Sequence, residues 1–257
     1  MTFFLYCHVF IHKNLTISAQ IRQFIADLPF GKPFGYAQLG LSPNQGQAAA
    51  KALERLVAQG ILISVAKGVF CKTPRGALIP KRPSDQALIE YLLYKNGQRV
   101  AYVTGLRLLS RWGFVEESPQ HPWQIAQFNR RGSFRWAHLE IKAVPSLVPV
   151  EEQNISVLEL LDVIKQFNVW AQQQPKQGIE RLALLCTELT DHQKLQFVEL
   201  GKYSTAGTCA LIGALISLWG WQVDLSPLRA RINPTSRYQC VASPSALPTG
   251  VDWGLSK

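Results

Sequence analysis

The strongest constraint on the fold lies in one stretch, "SPNQGQAAAKALERLVAQG" (residues 42–60), followed without a gap by "ILISVAKGVFCK". A helical period runs directly into strand-like alternation, so the chain must pass from helix to sheet within a few residues. Ser42 with Gln45 three positions later is the pattern of a capping box, and Pro43 sits at the first helical position, where a missing N–H costs nothing. Ala49, Ala52, Leu53, Leu56 and Val57 recur at the spacing of one buried helical face, and Gly60 is placed to end the helix. The opposite face carries Asn44, Gln47, Lys51 and Arg55 with a single acid, Glu54, whereas a solvated helix ordinarily mixes both signs. The runs "ILISV" and "GVFCK" flank Ala66-Lys67-Gly68 and read as a β-hairpin.

Upstream, "LTISAQIRQFIADL" places Ile17, Ile21, Phe24, Ile25 and Leu28 on one helical face; "PFGKPF" breaks the chain, and "GYAQLGL" reads as a short second helix. Helix, helix, helix and hairpin is the order of a winged helix-turn-helix, in which the third helix enters the major groove and the hairpin flanks it on the backbone. The apolar face of residues 42–60 then packs on the first helix and the amides face base edges. Asn44 and Gln47 are the expected adenine readers, while Gln45 loses its freedom if it closes the capping box. Lys51, Lys67 and Lys72 are the expected phosphate contacts, with Lys32, Tyr36, Arg55 and Arg75 completing the DNA-binding set.

The distribution of charge points the same way. Of the 27 Lys/Arg and 17 Asp/Glu, residues 12–82 hold ten and two, a net of +8 out of the chain's +10. So local an excess suggests that one domain contacts an acidic polymer. An anionic membrane surface fits less well, because residues 42–60 pair their bases with alanines rather than large apolar residues. The opening "MTFFLYCHVFIHK" has no positive leader and is too short to span a bilayer; it reads as an N-terminal strand or docking segment. The later run "TCALIGALISLWGW" reads as a buried core helix. Five scattered cysteines without CxxC spacing fit a reducing, cytoplasmic setting.

At 257 residues two domains are expected. Residues 1–76 form the winged helix-turn-helix, 77–83 a basic, proline-rich linker, and 84–257 a mixed, mainly helical domain containing a small sheet, giving an α+β protein. In the last region "SDQALIEYLLYKN" and "VTGLRLLSRW" read as helices, and "WQIAQF" and "SFRWAHLEIKAV" as strands joined by a basic hairpin tip, "NRRG". Ser156-x-x-Glu159 and Thr190-x-x-Gln193 read as further capping boxes.

Four stretches, "PFGKPFGYAQLGL", "AAAKALERLVAQGILISVAKGVF", "YLLYKNGQRVAYVTGL" and "INPTSRY…DWGL", resemble the AbiEi-type antitoxins, in particular the group called DUF6088. The likeness runs from about residue 16 onward; "GLRLLSRWGFVEESP" departs from the pattern. The resemblance implies the antitoxin half of a bacterial toxin–antitoxin pair. Such a protein binds double-stranded promoter DNA through its winged helix and counters a nucleotidyltransferase-like toxin through its C-terminal region. Many relatives stand alone, which leaves a repressor without a toxin as the alternative.

The rival class is a metal-dependent nuclease. Glu140 and Lys142 in "HLEIKAV" lie two apart on a strand and so point to one side, as the acid-x-lysine half of such a site does; only Glu116 and Glu117 offer a second acid. Cys7, His8 and His12 are close in sequence but lack a fourth metal ligand, and His121, His138 and His192 are isolated. No phosphate-binding glycine loop, nucleophile elbow or HExxH sequence is present. The expectation is a non-enzymatic protein with no cofactor and no catalytic residue.

Overall fold

In the computed structural model, which describes residues 15–74 and 82–257, the chain separates into two units. The first takes in the chain to Gly97 together with Trp136–Leu139, and the second holds Gln98–Arg135 and Glu140–Lys257. The mixture of helices and small sheets is the expected α+β composition. The "MTFFLYCHVFIHK" segment, with Cys7, His8 and His12, lies outside the described residues, as does most of the 77–83 linker.

In the first unit Thr16 caps helix α1 (Ile17–Asp27), its hydroxyl accepting from the Ala19 N–H at 3.3 Å. Strand β1 (Pro33–Gly35) then occupies the segment expected to be a plain break. Its proline and glycine conceal it in the sequence. It is an edge strand, where a residue without an N–H is tolerated, and Pro33 lies opposite Cys71. The expected second helix is a single 3₁₀ turn, Tyr36–Leu39, ended by Gly40 at φ +64. Another 3₁₀ turn, Pro43–Gln45, leads into α2 (Gly46–Ala58). Strands β2 (Leu62–Ala66) and β3 (Val69–Lys72) form the expected hairpin, and the antiparallel sheet has the order β1-β3-β2. Ile21, Ile25, Phe34, Leu53, Leu56 and Leu62 fill the core beneath it. Helix α3 (Asp85–Leu92), capped by Ser84, also belongs to this unit. The Tyr91 hydroxyl stands where a Cβ at Gly35 would lie 2.5 Å away, so Gly35 lets α3 approach β1. Two short strands, β4 (Tyr94–Lys95) and β5 (Gln98–Arg99), mark the chain's passage to the second unit.

The second unit opens with β6 (Ala101–Thr104) and α4 (Leu106–Arg111), so the expected helix over "VTGLRLLSRW" is a strand, a turn and a helix. Gly105 at φ +70 makes that turn. Strands β7 (Trp123–Gln127), β8 (Gly132–Trp136) and β9 (Leu139–Pro145) complete a sheet of order β6-β7-β9-β8, with β7 and β9 parallel. The "NRRG" segment therefore joins two strands that are not neighbours in the sheet, β7 and β8, and is not a hairpin tip. β6 and β8 are the two edge strands of this sheet; β6 is buried throughout, whereas β8 has no fully buried residue.

The helices follow: α5 (Ile155–Lys165), α6 (Phe167–Trp170), α7 (Pro175–Thr187), α8 (Asp191–Gly201), α9 (Ala206–Trp219) and α10 (Ser226–Arg229). Thr190 and Gln193 form the expected capping box at α8. At α5 the expected box is absent: a 3₁₀ turn, Glu152–Asn154, precedes the helix, Asn154 caps Glu151, and Glu159 points into the unit. Helix α9 is buried at every residue from Cys209 to Ile216, as its uniform apolar sequence demands. A 3₁₀ segment, Pro248–Trp253, lays Trp253 against Gly213, where a Cβ would stand 2.2 Å from the indole. Strands β10 (Tyr238–Gln239) and β11 (Leu255–Ser256) pair in parallel beside it. Among the described residues no helix is long and apolar enough to cross a membrane.

Candidate nucleic-acid interface

The start of α2 is built by three side chains. The Ser42 N–H donates to Gln45 Oε1 at 3.0 Å, and Ser42 Oγ donates to Asn44 Oδ1 at 2.6 Å. Gln45 thus closes the turn and is half-buried, the outcome its place in the capping pattern implied. Asn44 is exposed with its amide oxygen already engaged by Ser42, a restraint that sequence spacing alone did not reveal. Gln47 is exposed and makes no side-chain hydrogen bond among the described residues.

Along α2, Gln47, Lys51 and Arg55 follow one another at intervals of four and are all exposed, while Ala49, Ala52, Leu53 and Leu56 are buried on the other side. Lys67 stands exposed at the β2–β3 turn, with Gly68 beside it at φ +72, a left-handed conformation that favours glycine. Tyr36, half-exposed, links these features within the unit. Its ring meets Phe70 edge-on at 6.1 Å, touches the Gly68 position, and lines a shallow depression with Ser42, Pro43, Gly46 and Ala49. Tyr36 therefore lies against both the N-terminal end of α2 and the β2–β3 turn. Lys32 is exposed on the segment before β1. No carboxylate is within ion-pair distance of Lys32, Lys51, Arg55 or Lys67 among the described residues.

Lys72 is placed differently. Its ammonium donates to the carbonyls of Ala26 at 2.8 Å and Leu28 at 3.0 Å, at the end of α1, and lies 5.0 Å from the Phe30 ring centre. It satisfies orphan carbonyls and offsets the negative end of the helix. Arg75 lies outside the described residues.

The second unit holds two carboxyl groups inside. Tyr102 Oη and Thr104 Oγ1 donate to Asp162 Oδ2 at 2.9 and 2.7 Å, and one turn earlier on α5 Glu159 pairs with Arg111 at 2.5 Å. Burial pushes both carboxyls above the usual carboxylate range, opposed by Arg111 at Glu159 and chiefly by the Thr104 hydrogen bond at Asp162. Burial likewise pushes the Cys186 thiol up to about 12, so it stays protonated and unreactive. "YVTGL" supplies Tyr102, Thr104 and the Gly105 turn. In "NPTSRY" the Asn233 Oδ1 accepts from Thr235, and Tyr238 Oη accepts from the Asn233 N–H at 2.9 Å. The first block bonds to a buried carboxyl on α5, whereas the second closes a local, exposed turn.

Glu140 and Lys142 share the exposed side of β9, and Glu140 is engaged by Arg135 at 2.8 Å in a solvent-exposed pair. His138 meets Asp85 at 2.8 Å, His121 meets Ser110 at 3.1 Å, and His192 is exposed in the first turn of α8. No group of three His, Cys, Asp or Glu side chains able to hold a metal ion occurs among the described residues.

No family model and no curated protein matches the chain. Among solved structures it is similar to the RV2827C protein from Mycobacterium tuberculosis, at 12% identity and a TM-score of 0.47, over 89% of this chain and 87% of that one.

Proposed function

We propose that the protein is a DNA-binding regulator whose N-terminal part is a winged helix-turn-helix. The observation that carries this reading is the open polar face of α2, with Gln47, Lys51 and Arg55 in line and Lys67 on the adjoining turn. A helix inserted N-terminus first into a major groove needs amides or guanidinium groups there, cations farther back, and no acids in the way. Gln47 is the principal base reader and Asn44 its neighbour. Lys51, Arg55, Lys67 and Lys32 neutralise phosphates, and Tyr36 supports the approach. Lys72 serves the fold.

For residues 84–257 the reading rests on the resemblance to AbiEi-type antitoxins: an interaction module, cytoplasmic and without an enzymatic reaction, that counters a nucleotidyltransferase-like toxin. A stand-alone repressor is the alternative. The two share the DNA-binding step and differ only in whether co-expression with a toxin encoded beside this gene restores growth.

The DNA step is tested by binding-site selection followed by mobility shifts. Gln47→Ala should cost about 1–3 kcal/mol on the selected site and relax preference at one base pair. Equal loss on selected and random DNA would remove Gln47 from base reading. Failure of the intact chain to retain any duplex at low salt would end the proposal.

A further inference from the structure

Beside the start of α2 lies a shallow depression of about 330 Å³, lined by Tyr36, Leu41, Ser42, Pro43, Gly46 and Ala49. Its lining is mostly carbon. Leu41, Pro43 and Ala49 bring apolar side chains, and Gly46 brings none. The polar groups of Ser42 are engaged within the turn. Its hydroxyl donates to Asn44 Oδ1 at 2.6 Å, its N–H donates to Gln45 Oε1 at 3.0 Å, and its carbonyl accepts from the Gln45 N–H at 2.9 Å. Tyr36, 40% exposed, is held in place by Phe70, edge-on at 6.1 Å, and by the Gly68 position of the β2–β3 turn. An aromatic wall already fixed in the free protein loses little freedom when something packs on it.

The second observation is Gly46. Its φ of −57 and ψ of −42 are helical values open to any residue, and a Cβ there would meet no atom within 4 Å. Helix propensity disfavours glycine, so neither the backbone nor packing among the described residues calls for it. What its absent side chain does is keep the depression open immediately beside Gln47, its neighbour in the chain and about 100° round the helix. The space is left for something outside the chain that comes close to the backbone there.

We propose that this depression receives the 5-methyl group of a thymine in the major groove, and so reads a second position of the recognised sequence. The inference rests on the DNA-binding reading and names a further determinant of its specificity. Among the groups that base pairs present in the major groove, the thymine methyl alone is apolar; the others are hydrogen-bond donors or acceptors. A carbon-lined depression suits the methyl and not the others. Gln47 contacts an adenine through its amide, and the thymine is the partner of that adenine or belongs to the adjoining pair.

The test replaces each thymine of the selected binding site in turn by deoxyuridine, which pairs identically and lacks only the methyl. The affinity of the full chain for each duplex is then measured by fluorescence anisotropy. One thymine, at or beside the pair whose preference Gln47→Ala relaxes, should cost about four-fold, the burial of one methyl group; the others should cost little. Cytosine at that position should weaken binding, and 5-methylcytosine should recover part of the loss. Gly46→Val, whose side chain enters open space, and Tyr36→Ala should each bring the thymine-to-deoxyuridine ratio close to one. Lys67→Ala should weaken both probes alike. A selected site that is bound tightly but is indifferent to deoxyuridine at every thymine would overturn the proposal and leave the DNA-binding reading standing. A ratio unmoved by both Gly46→Val and Tyr36→Ala would do the same. Failure to bind any duplex would end both.

Discussion

Helices α2 and α9 are similar in length and opposite in use. α2 buries one stripe and leaves Gln47, Lys51 and Arg55 without a side-chain hydrogen bond or ion pair among the described residues, whereas α9 buries eight consecutive residues and keeps Ser217 and Ala214 bonded to the C-terminal segment. A similar contrast separates one cluster of side chains in each unit. In the second, Tyr102, Thr104, Arg111, Glu159 and Asp162 satisfy one another. In the first, the cations on α2 and the β2–β3 turn have no carboxylate within ion-pair distance among the described residues. Polar groups bonded inward define a structure, while polar groups left open define where a partner is to be sought.

Core truncation should give the largest effects and should not distinguish the units. Leu53→Ala and Leu215→Ala remove side chains with no exposure, and each should lose about 2–5 kcal/mol in urea denaturation. A markedly smaller loss for Leu53 would mean that the first unit is loosely packed.

Gly213→Ala comes next. The new methyl would stand within 2.4 Å of the Trp253 ring, and the overpacking should cost about 1–3 kcal/mol. Trp253→Leu in the same chain should cost less than the sum of the single changes, because it vacates the space. Strict additivity would show that the two residues do not touch.

Lys51→Ala tests the contrast directly. An exposed lysine without an ion pair should change stability by less than about 0.5 kcal/mol, yet the log–log salt slope of DNA binding should become shallower by about one unit. An unchanged slope would place Lys51 outside the interface.

The smallest effect concerns pH. Glu159 and Asp162 have folded-state pKa values raised above their unfolded ones, chiefly by burial. In that window the folded state holds more protons, so their contribution weakens stability as pH rises from the ordinary carboxylate range through the raised values. Glu159→Gln should flatten that part of the melting-temperature profile. An unaltered profile would mean that Glu159 titrates as an exposed carboxylate does.

The sequence was most readable where one local rule acted alone. The period of residues 42–60, the glycine at 68 and the Thr190–Gln193 box all reappear as α2, the β2–β3 turn and the start of α8. It was least readable where distant partners overrode local preference. Pro33 hid β1, whose strand geometry comes from pairing with β3. Ser156 and Glu159 had capping spacing, but Arg111, far along the chain, holds Glu159 inside. The sheet order was hidden because β9 inserts between strands that are neighbours in sequence. At the candidate interface the side chains themselves were legible, and their state was not. That Ser42 restrains Asn44, and that Lys72 closes the end of α1, are facts of three-dimensional proximity.

The seating of Trp253 on Gly213 has a consequence for the order of biosynthesis. α9 is translated well before the segment that covers it, so a growing chain displays the apolar groove at Gly213 until Trp253 emerges. Over that interval the second unit offers a sticky surface to chaperones or to other nascent copies, although its remaining helices are already available to fold. Ribosomes stalled between the codons for Trp219 and Trp253 should therefore carry chains that aggregate on release, and release past Trp253 should cure them.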